Sequence, residues 1–388
     1  MKKITCITPV LLSMLIVSCQ LNTKNKVGSS SDDVNFKNKA RTVKQSFVSE
    51  KVIDKHEEAR ALNTAKKIEA ILKRNGSIYN NKKVTAYLQK VMNRLYPAFK
   101  NKITVKILNF TDLNAFALAN GTIYFNLGLI ARLENEAQLA TVLGHEGAHY
   151  VYKHSIRKRQ KIKSVADVRT NKRGIYGYSR NLEREADRHA FRRLKKAGYN
   201  TSEAYKVFVH LAAEVKLLQR HTPGLVRLHP KLTERITSFR VLHNKSGNKA
   251  GVKHKKIYNL QMRKVKIADL EANLATGNYK SIILILGRLN MNKTYPGYYP
   301  YFLGEAYRLR GQQSDYDTAA KSYLKSTQNS PQYAPAYNAL GIYYLKKNSL
   351  HKARQYFKQY LKLSPQGKYA AYANHYIMSI NKKLLTGH

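Results

Sequence analysis

The run Leu139-Ala140-Thr141-Val142-Leu143-Gly144-His145-Glu146-Gly147-Ala148-His149-Tyr150 decides how the rest of this chain is read. Its apolar positions, Leu139, Val142, Leu143 and Tyr150, recur at helical spacing, which predicts a helix from about Asn135 to His154. Residues four apart in a helix differ by about 40° in azimuth, so His145 and His149 leave one face a single turn apart. That spacing suits two imidazole nitrogens at about 2.0–2.1 Å from one Zn²⁺. Glu146, beside the first histidine, is placed to act as a general base. Two histidines on a solvated face are the bland alternative.

A catalytic zinc needs a third protein ligand and an open position. Candidates stand in Asn181-Leu182-Glu183-Arg184-Glu185-Ala186-Asp187, within a helix predicted from about Leu182 to Lys196 and closed by Gly198. Glu183 and Asp187 share a face and Glu185 points elsewhere. We read Glu183 as the ligand and Asp187 as an outer group orienting an imidazole; salt bridges to neighbouring arginines are the alternative for both. His154, five residues after His149, falls about 140° around the helix and is read as no ligand. His189, His210 and His221 are read as surface or core residues.

Working outward, the 388 residues suffice for two or three domains. A hydrophobic fraction of 43% argues against disorder. Two cysteines, Cys6 and Cys19, exclude a disulfide scaffold and a four-cysteine metal site. No apolar run reaches the ~18 residues needed to cross a bilayer. Met1-Lys2-Lys3 followed by apolar Ile4 to Val17 and Ser18-Cys19 predicts a secretory signal over 1–19. A polar tether is expected over 20–55, a metallopeptidase domain over 56–243 and a linker over 244–256.

Helices are predicted from Glu57 to about Asn75-Gly76, over Val84 to Leu95, and from Ser202 to about Arg220. Strands are predicted at Ile103–Ile107 and Thr122–Phe125. Beyond the linker, Tyr337, Leu340, Gly341, Tyr344, Ala353, Phe357 and Pro365 match a tetratricopeptide signature. Leu303-Gly304, Tyr307, Ala319, Tyr323 and Pro331 match it again with three extra residues in the turn. A weaker copy starts at Gly277-Asn278-Tyr279, and Tyr369 to Leu385 reads as a cap. The fold class expected is therefore mainly α: an α+β protease domain of the zincin type with a small edge sheet, then an α-solenoid of repeats over 257–388.

His145-Glu146-x-x-His149 followed by Glu183-x-x-Ala186-Asp187 resembles the gluzincin metallopeptidase family of the CAAX prenyl proteases and HtpX. Glu134 to Gly144 is similar to that family's approach to its zinc helix. Asn114-Ala115-Phe116-Ala117 leading into Ile123-Tyr124-Phe125 resembles its substrate-facing edge strand. Ile16-Val17-Ser18-Cys19 resembles a lipobox, and His229-Pro230 with Arg235-Ile236 matches the late element of BepA-like lipoproteins that carry repeats. The resemblance implies a zinc endopeptidase with one Zn²⁺ on His145, His149 and Glu183 and with Glu146 as base. It makes Asp187 a proton-donor candidate, and His229 a switchable fourth ligand or a transition-state donor. Two departures stand out: Gly147 replaces a larger apolar residue, and Ala117–Gly121 lacks the usual proline.

The resemblance also implies quality control of unfolded or unassembled envelope polypeptides, with an extended substrate pairing near Ile123-Tyr124-Phe125 and clients on the repeats. The implied location is the periplasmic side of a membrane, held by lipid. A repeat-based scaffold or chaperone-like factor with a latent protease is the alternative. The formal charge of +47 suits anionic headgroups or acidic partners. Its spread along the whole chain argues against nucleic acid as a partner. The block Arg157–Arg173, with eight Lys or Arg against one Asp, is expected to be a basic lid or a solvated loop.

Overall fold

The computed structural model describes residues 53–163, 172–218, 232–246, 250–289 and 295–386. The leader, Cys19 and nearly all of the tether lie outside the described residues. Helix α1 (Lys55–Arg74) starts where the Asp54 carboxylate accepts from the His56 amide at 2.8 Å. It buries Ala61, Ala65, Ile68 and Leu72, and it stops at Asn75 as Gly76 turns left-handed at φ 63°. Helix α2 (Lys82–Leu95) is capped by the Asn81 side chain and ends ahead of Pro97.

Strands β1 (Thr104–Leu108), β2 (Ala115–Ala117) and β3 (Thr122–Asn126) form one sheet in the order β1-β3-β2. β1 runs parallel to β3, and β2 antiparallel to it with Phe116 opposite Tyr124. This corrects the expected substrate edge. Ile123-Tyr124-Phe125 belongs to the central strand, hydrogen-bonded on both sides and buried on both faces. The edge on that side is β2. The missing proline is made good by Asn120, whose Oδ1 accepts from the Thr122 amide and whose Nδ2 donates to Glu69, and by Gly121 at φ 89°.

Helices α3 (Leu127–Arg132) and α4 (Glu136–Val151) follow. α4 carries the two histidines and is buried on every side from Glu136 to Ala148, the position of a central helix. Asn135 caps it, accepting from the Gln138 amide at 3.0 Å while its own Nδ2 donates to Glu203. The helix ends three residues before the expected His154, because Lys153 adopts φ 52° and redirects the chain. His154 then begins α5 (His154–Lys163). The first part of the basic block is thus helical rather than a lid. Arg157 pairs with Glu185 and Arg159 with Glu57, so their charges are spent internally.

α6 (Lys172–Lys196) carries the acidic face; α8 (Leu232–Ser246) packs against it, and α7 (Ser202–Leu218) packs against α8. The stretch expected to be a free linker is stitched down. Asn200 N donates to Val252 O and Val252 N to Gly198 O, and Glu136 N reaches Lys253 O. Helix α9 (Lys255–Gln261) and the start of α10 (Arg263–Ala275) place Tyr258, Met262 and Val265, all fully buried, in the same core as α2, α4 and the sheet. Arg132 completes the join: its guanidinium meets Glu214 on α7 at 3.2 Å and Asp269 on α10 at 2.6 Å, with all three side chains buried.

The rest is helical: α11 (Tyr279–Leu289), α12 (Tyr298–Arg310), α13 (Asp315–Asn329), α14 (Ala334–Lys346), α15 (Leu350–Leu363) and α16 (Ala370–Thr386). α12 packs on α13, and α14 on α15. A Cβ on Gly304 would meet the Tyr323 ring below 3.0 Å, and one on Gly341 would meet the Phe357 ring equally closely. The same glycine-to-aromatic approach therefore recurs in both pairs, which is the packing identity of a repeat. No helix among the described residues is long and apolar enough to cross a membrane.

Candidate metal centre

Helix α4 meets α6 where Gly144 allows Ala190 close, its would-be Cβ standing 3.3 Å from the Ala190 Cα. That approach carries the Glu183–Asp187 face of α6 against His145. The three donor atoms converge: His145 Nε2 to His149 Nε2 is 3.0 Å, His145 Nε2 to Glu183 Oε2 3.3 Å, and His149 Nε2 to Glu183 Oε2 3.6 Å. A tetrahedral ion with bonds of about 2.0–2.1 Å requires donors roughly 3.3–3.4 Å apart. The three separations bracket that value, so these residues fit zinc. They are also the one group among the described residues with three metal-type donors so close together.

The electrostatics favour a cation. Burial and the Arg235 guanidinium push His145 down, yet Asp187 and Glu183 outweigh them and its pKa rises to about 9. Burial pushes the Asp187 carboxyl up, but Arg235 and His145 hold it below the usual carboxylate range.

Asp187 lies behind His145. Its Oδ1 is 2.8 Å from His145 Nδ1, on the ring edge opposite the nitrogen facing Glu183. Arg235 Nε donates to Asp187 Oδ2 at 3.0 Å, and the Phe208 ring backs the guanidinium at 4.0 Å. Arg235 Nη2 is also 3.0 Å from His145 Nδ1; both are donors when Nδ1 is protonated, so the carboxylate is the acceptor for each. Both Asp187 oxygens are thus engaged, Oδ1 beside the His145 ring and Oδ2 by the Arg235 guanidinium.

Glu146 is 1% exposed, and its Oε1 has no hydrogen-bond partner among the described residues. A buried carboxylate oxygen left unpaired is costly unless it serves something that binds there. His229 lies outside the described residues, as does His221.

Gly147 now has a reason. A Cβ there would fall under 3.0 Å from the Tyr96 ring, which is buried under α4 with its hydroxyl donating to Gly144 O at 2.5 Å. Tyr96 occupies the volume that a larger residue at 147 would fill. Gly147→Val is expected to cost about 1–3 kcal/mol by overpacking, more than the helix propensity of under about 1 kcal/mol it gains. Tyr96→Leu in the same chain is expected to recover part of the loss. Urea midpoints of the single and paired variants check this.

Sequence reasoning missed one contact entirely. His154 Nδ1 stands 3.0 Å from His149 Nδ1, with its Nε2 3.6 Å from Glu185 Oε2. A wheel continued through residue 153 points His154 away, and lysine gives no sign of a left-handed break. His189 stacks on Tyr152 with ring centroids 3.8 Å apart, in keeping with a packing role.

The sequence profile of peptidase family M48 matches residues 80–170 and 160–242. Residues 80–242 of the chain are thus similar to an M48 peptidase domain. Zinc is the metal of M48 metalloproteases, and the donors above suit it. The domain is similar to a putative beta-barrel assembly-enhancing protease of Vibrio cholerae, 26% identical over 44% of this chain and 41% of the relative. It is similar to the metalloprotease YcaL of Escherichia coli K12, 30% identical over 36% of this chain and 61% of the relative. The beta-barrel assembly-enhancing protease of the same strain is 21% identical over 44% and 41%. The chain thus spans about two fifths of the length of the assembly-enhancing relatives it matches. The M48 match covers the sheet, α4 and α6, and stops within α8.

Proposed function

We propose that the chain is a zinc endopeptidase of the bacterial envelope that hydrolyses misfolded or unassembled proteins, with His145, His149 and Glu183 as ligands and Glu146 as base. The observation that carries this reading is the convergence of three donors on two helices at zinc spacing. A zinc ion held there would supply Lewis-acid polarisation of the scissile carbonyl and bring the pKa of a water to about 7. Glu146 Oε1, buried and unpartnered, takes the proton of the attacking water and later delivers it to the leaving amine. Asp187 and Arg235 keep the His145 ring in register throughout.

Substrate is held by strand addition to β2, which lies against α4. The antiparallel register makes 114, 116 and 118 the residues bonded to β3, so Ala115, itself buried, and the partly exposed Ala117 direct their amide and carbonyl groups away from β3. Such recognition reads backbone more than side chains and favours extended, unfolded segments. The envelope assignment draws on the names of the relatives and on a leader with a lipobox, which would tether Cys19 to a membrane facing the periplasm. The paired helices α12 to α15 are taken as tetratricopeptide units that present clients, and the basic surface as a contact for anionic headgroups.

Metal analysis tests the centre. Purified wild type is expected to hold about one zinc per chain, and Glu183→Ala to lose most of it with the helical content unchanged. Equal zinc in both proteins would remove Glu183 from the ligand set.

A further inference from the structure

We propose that His154 is a positioning residue for His149, the inner member of a relay His149–His154–Glu185–Arg157 that fixes the second histidine as Asp187 and Arg235 fix the first; this rests on the zinc reading above. His149 directs Nε2 toward His145 and Glu183, so its Nδ1 faces away from the centre and meets His154 Nδ1 at 3.0 Å. Two ring nitrogens at that distance share one proton. A ligand histidine bound through Nε2 keeps its proton on Nδ1, so His154 Nδ1 must be the acceptor. The His154 proton is then on Nε2, and that atom points at Glu185 Oε2, 3.6 Å away. Arg157 pins the same carboxylate at 3.1 Å. At that distance Glu185 acts on the His154 ring as a nearby negative charge and not as a hydrogen-bond acceptor, and the one hydrogen bond of the relay at His154 is the one to His149.

The two histidines are held unequally. His145 donates directly to a carboxylate, whereas His149 donates to a neutral imidazole that only relays one. Direct carboxylate contact raises ligand basicity more, so His145 is the stronger anchor and His149 the more easily displaced. The device is assembled by Lys153, whose left-handed φ of 52° returns His154, 2% exposed, beneath the ligand it follows by five residues.

The test measures zinc dissociation constants by chelator competition, with the visible spectrum of the cobalt-substituted protein as a second readout and melting of the metal-free proteins as a check on folding. His154→Ala is expected to weaken zinc binding about 10–100-fold and to shift the cobalt bands. His154→Asn, whose Oδ1 replaces the Nδ1 acceptor, is expected to recover most of that loss. Glu185→Gln keeps the shape, sits toward the surface, and is expected to weaken binding by a smaller factor. Zinc held as tightly by His154→Ala as by wild type overturns the relay, as does His154→Asn binding no better than His154→Ala when both fold. A wild type that takes up no zinc would instead sink the metal centre itself.

Discussion

Glu146→Gln is expected to reduce peptide-bond hydrolysis by about 10²–10⁴-fold while leaving zinc in place. Glutamine has the size of glutamate and position 146 is not among the three converging donors, so the convergence of His145, His149 and Glu183 is expected to be kept. What disappears is an oxygen able to take a proton, at a site where Oε1 has no other described partner. Cleavage of an unfolded model protein, measured beside metal content, separates loss of the base from loss of the metal. A variant that retains zinc and cleaves at the wild-type rate would remove Glu146 from the chemistry. Full complementation in cells by an inactive variant would favour the scaffold reading over the peptidase.

Arg132→Met is expected to lower stability by about 3–5 kcal/mol, the cost of leaving buried carboxylates without their cation. Arg132 is fully buried and pairs with Glu214 and Asp269, from two helices far along the chain. Burial pushes the Asp269 carboxyl up even with the guanidinium beside it, which shows how little solvent reaches the cluster. Adding Glu214→Gln and Asp269→Asn is expected to return much of the loss, since no charge is then stranded. Urea denaturation at fixed zinc concentration gives both values. A single-variant loss below about 1 kcal/mol would place the cluster in the class of solvated pairs. Because Asp269 sits on α10, the single variant is also expected to loosen α10 from α3, seen as faster amide exchange in α10.

Much of this was legible locally. Four-residue spacing in His145/His149 and Glu183/Asp187 survives into the structure because both pairs sit inside unbroken helices, where azimuth follows from chain position. The apolar stripe of α1 and the cap and proline bounding α2 are likewise local, and each end falls within a few residues of its signal. The glycines facing aromatic rings in the last helices follow from a repeat whose two copies differ by a turn insertion.

Other features depend on neighbours that no window of sequence contains. The central place of β3 follows from parallel pairing with β1, a contact that alternation in one strand does not specify. Gly147 departs from the larger residue that the family resemblance implies, and the reason is the Tyr96 ring packed against it from a distant position. Residues 250–265 read as linker and repeat because their polarity is local, yet Tyr258, Met262 and Val265 are buried in the peptidase core while Ile257 and Leu260 stay exposed.

The proposed chemistry of this protein is legible in short-range periodicity: two histidines, the proposed base and a third donor, each on a predictable helix face. Its geometry came from long-range packing. Which strand is the edge, how His154 returns beneath His149, and where Arg132, Asp187 and Arg235 find partners all turn on side chains brought together from distant positions. The reason is that helical azimuth is set by a fixed rotation per residue, whereas a buried charge or an unpaired strand is placed only by what the completed core leaves beside it.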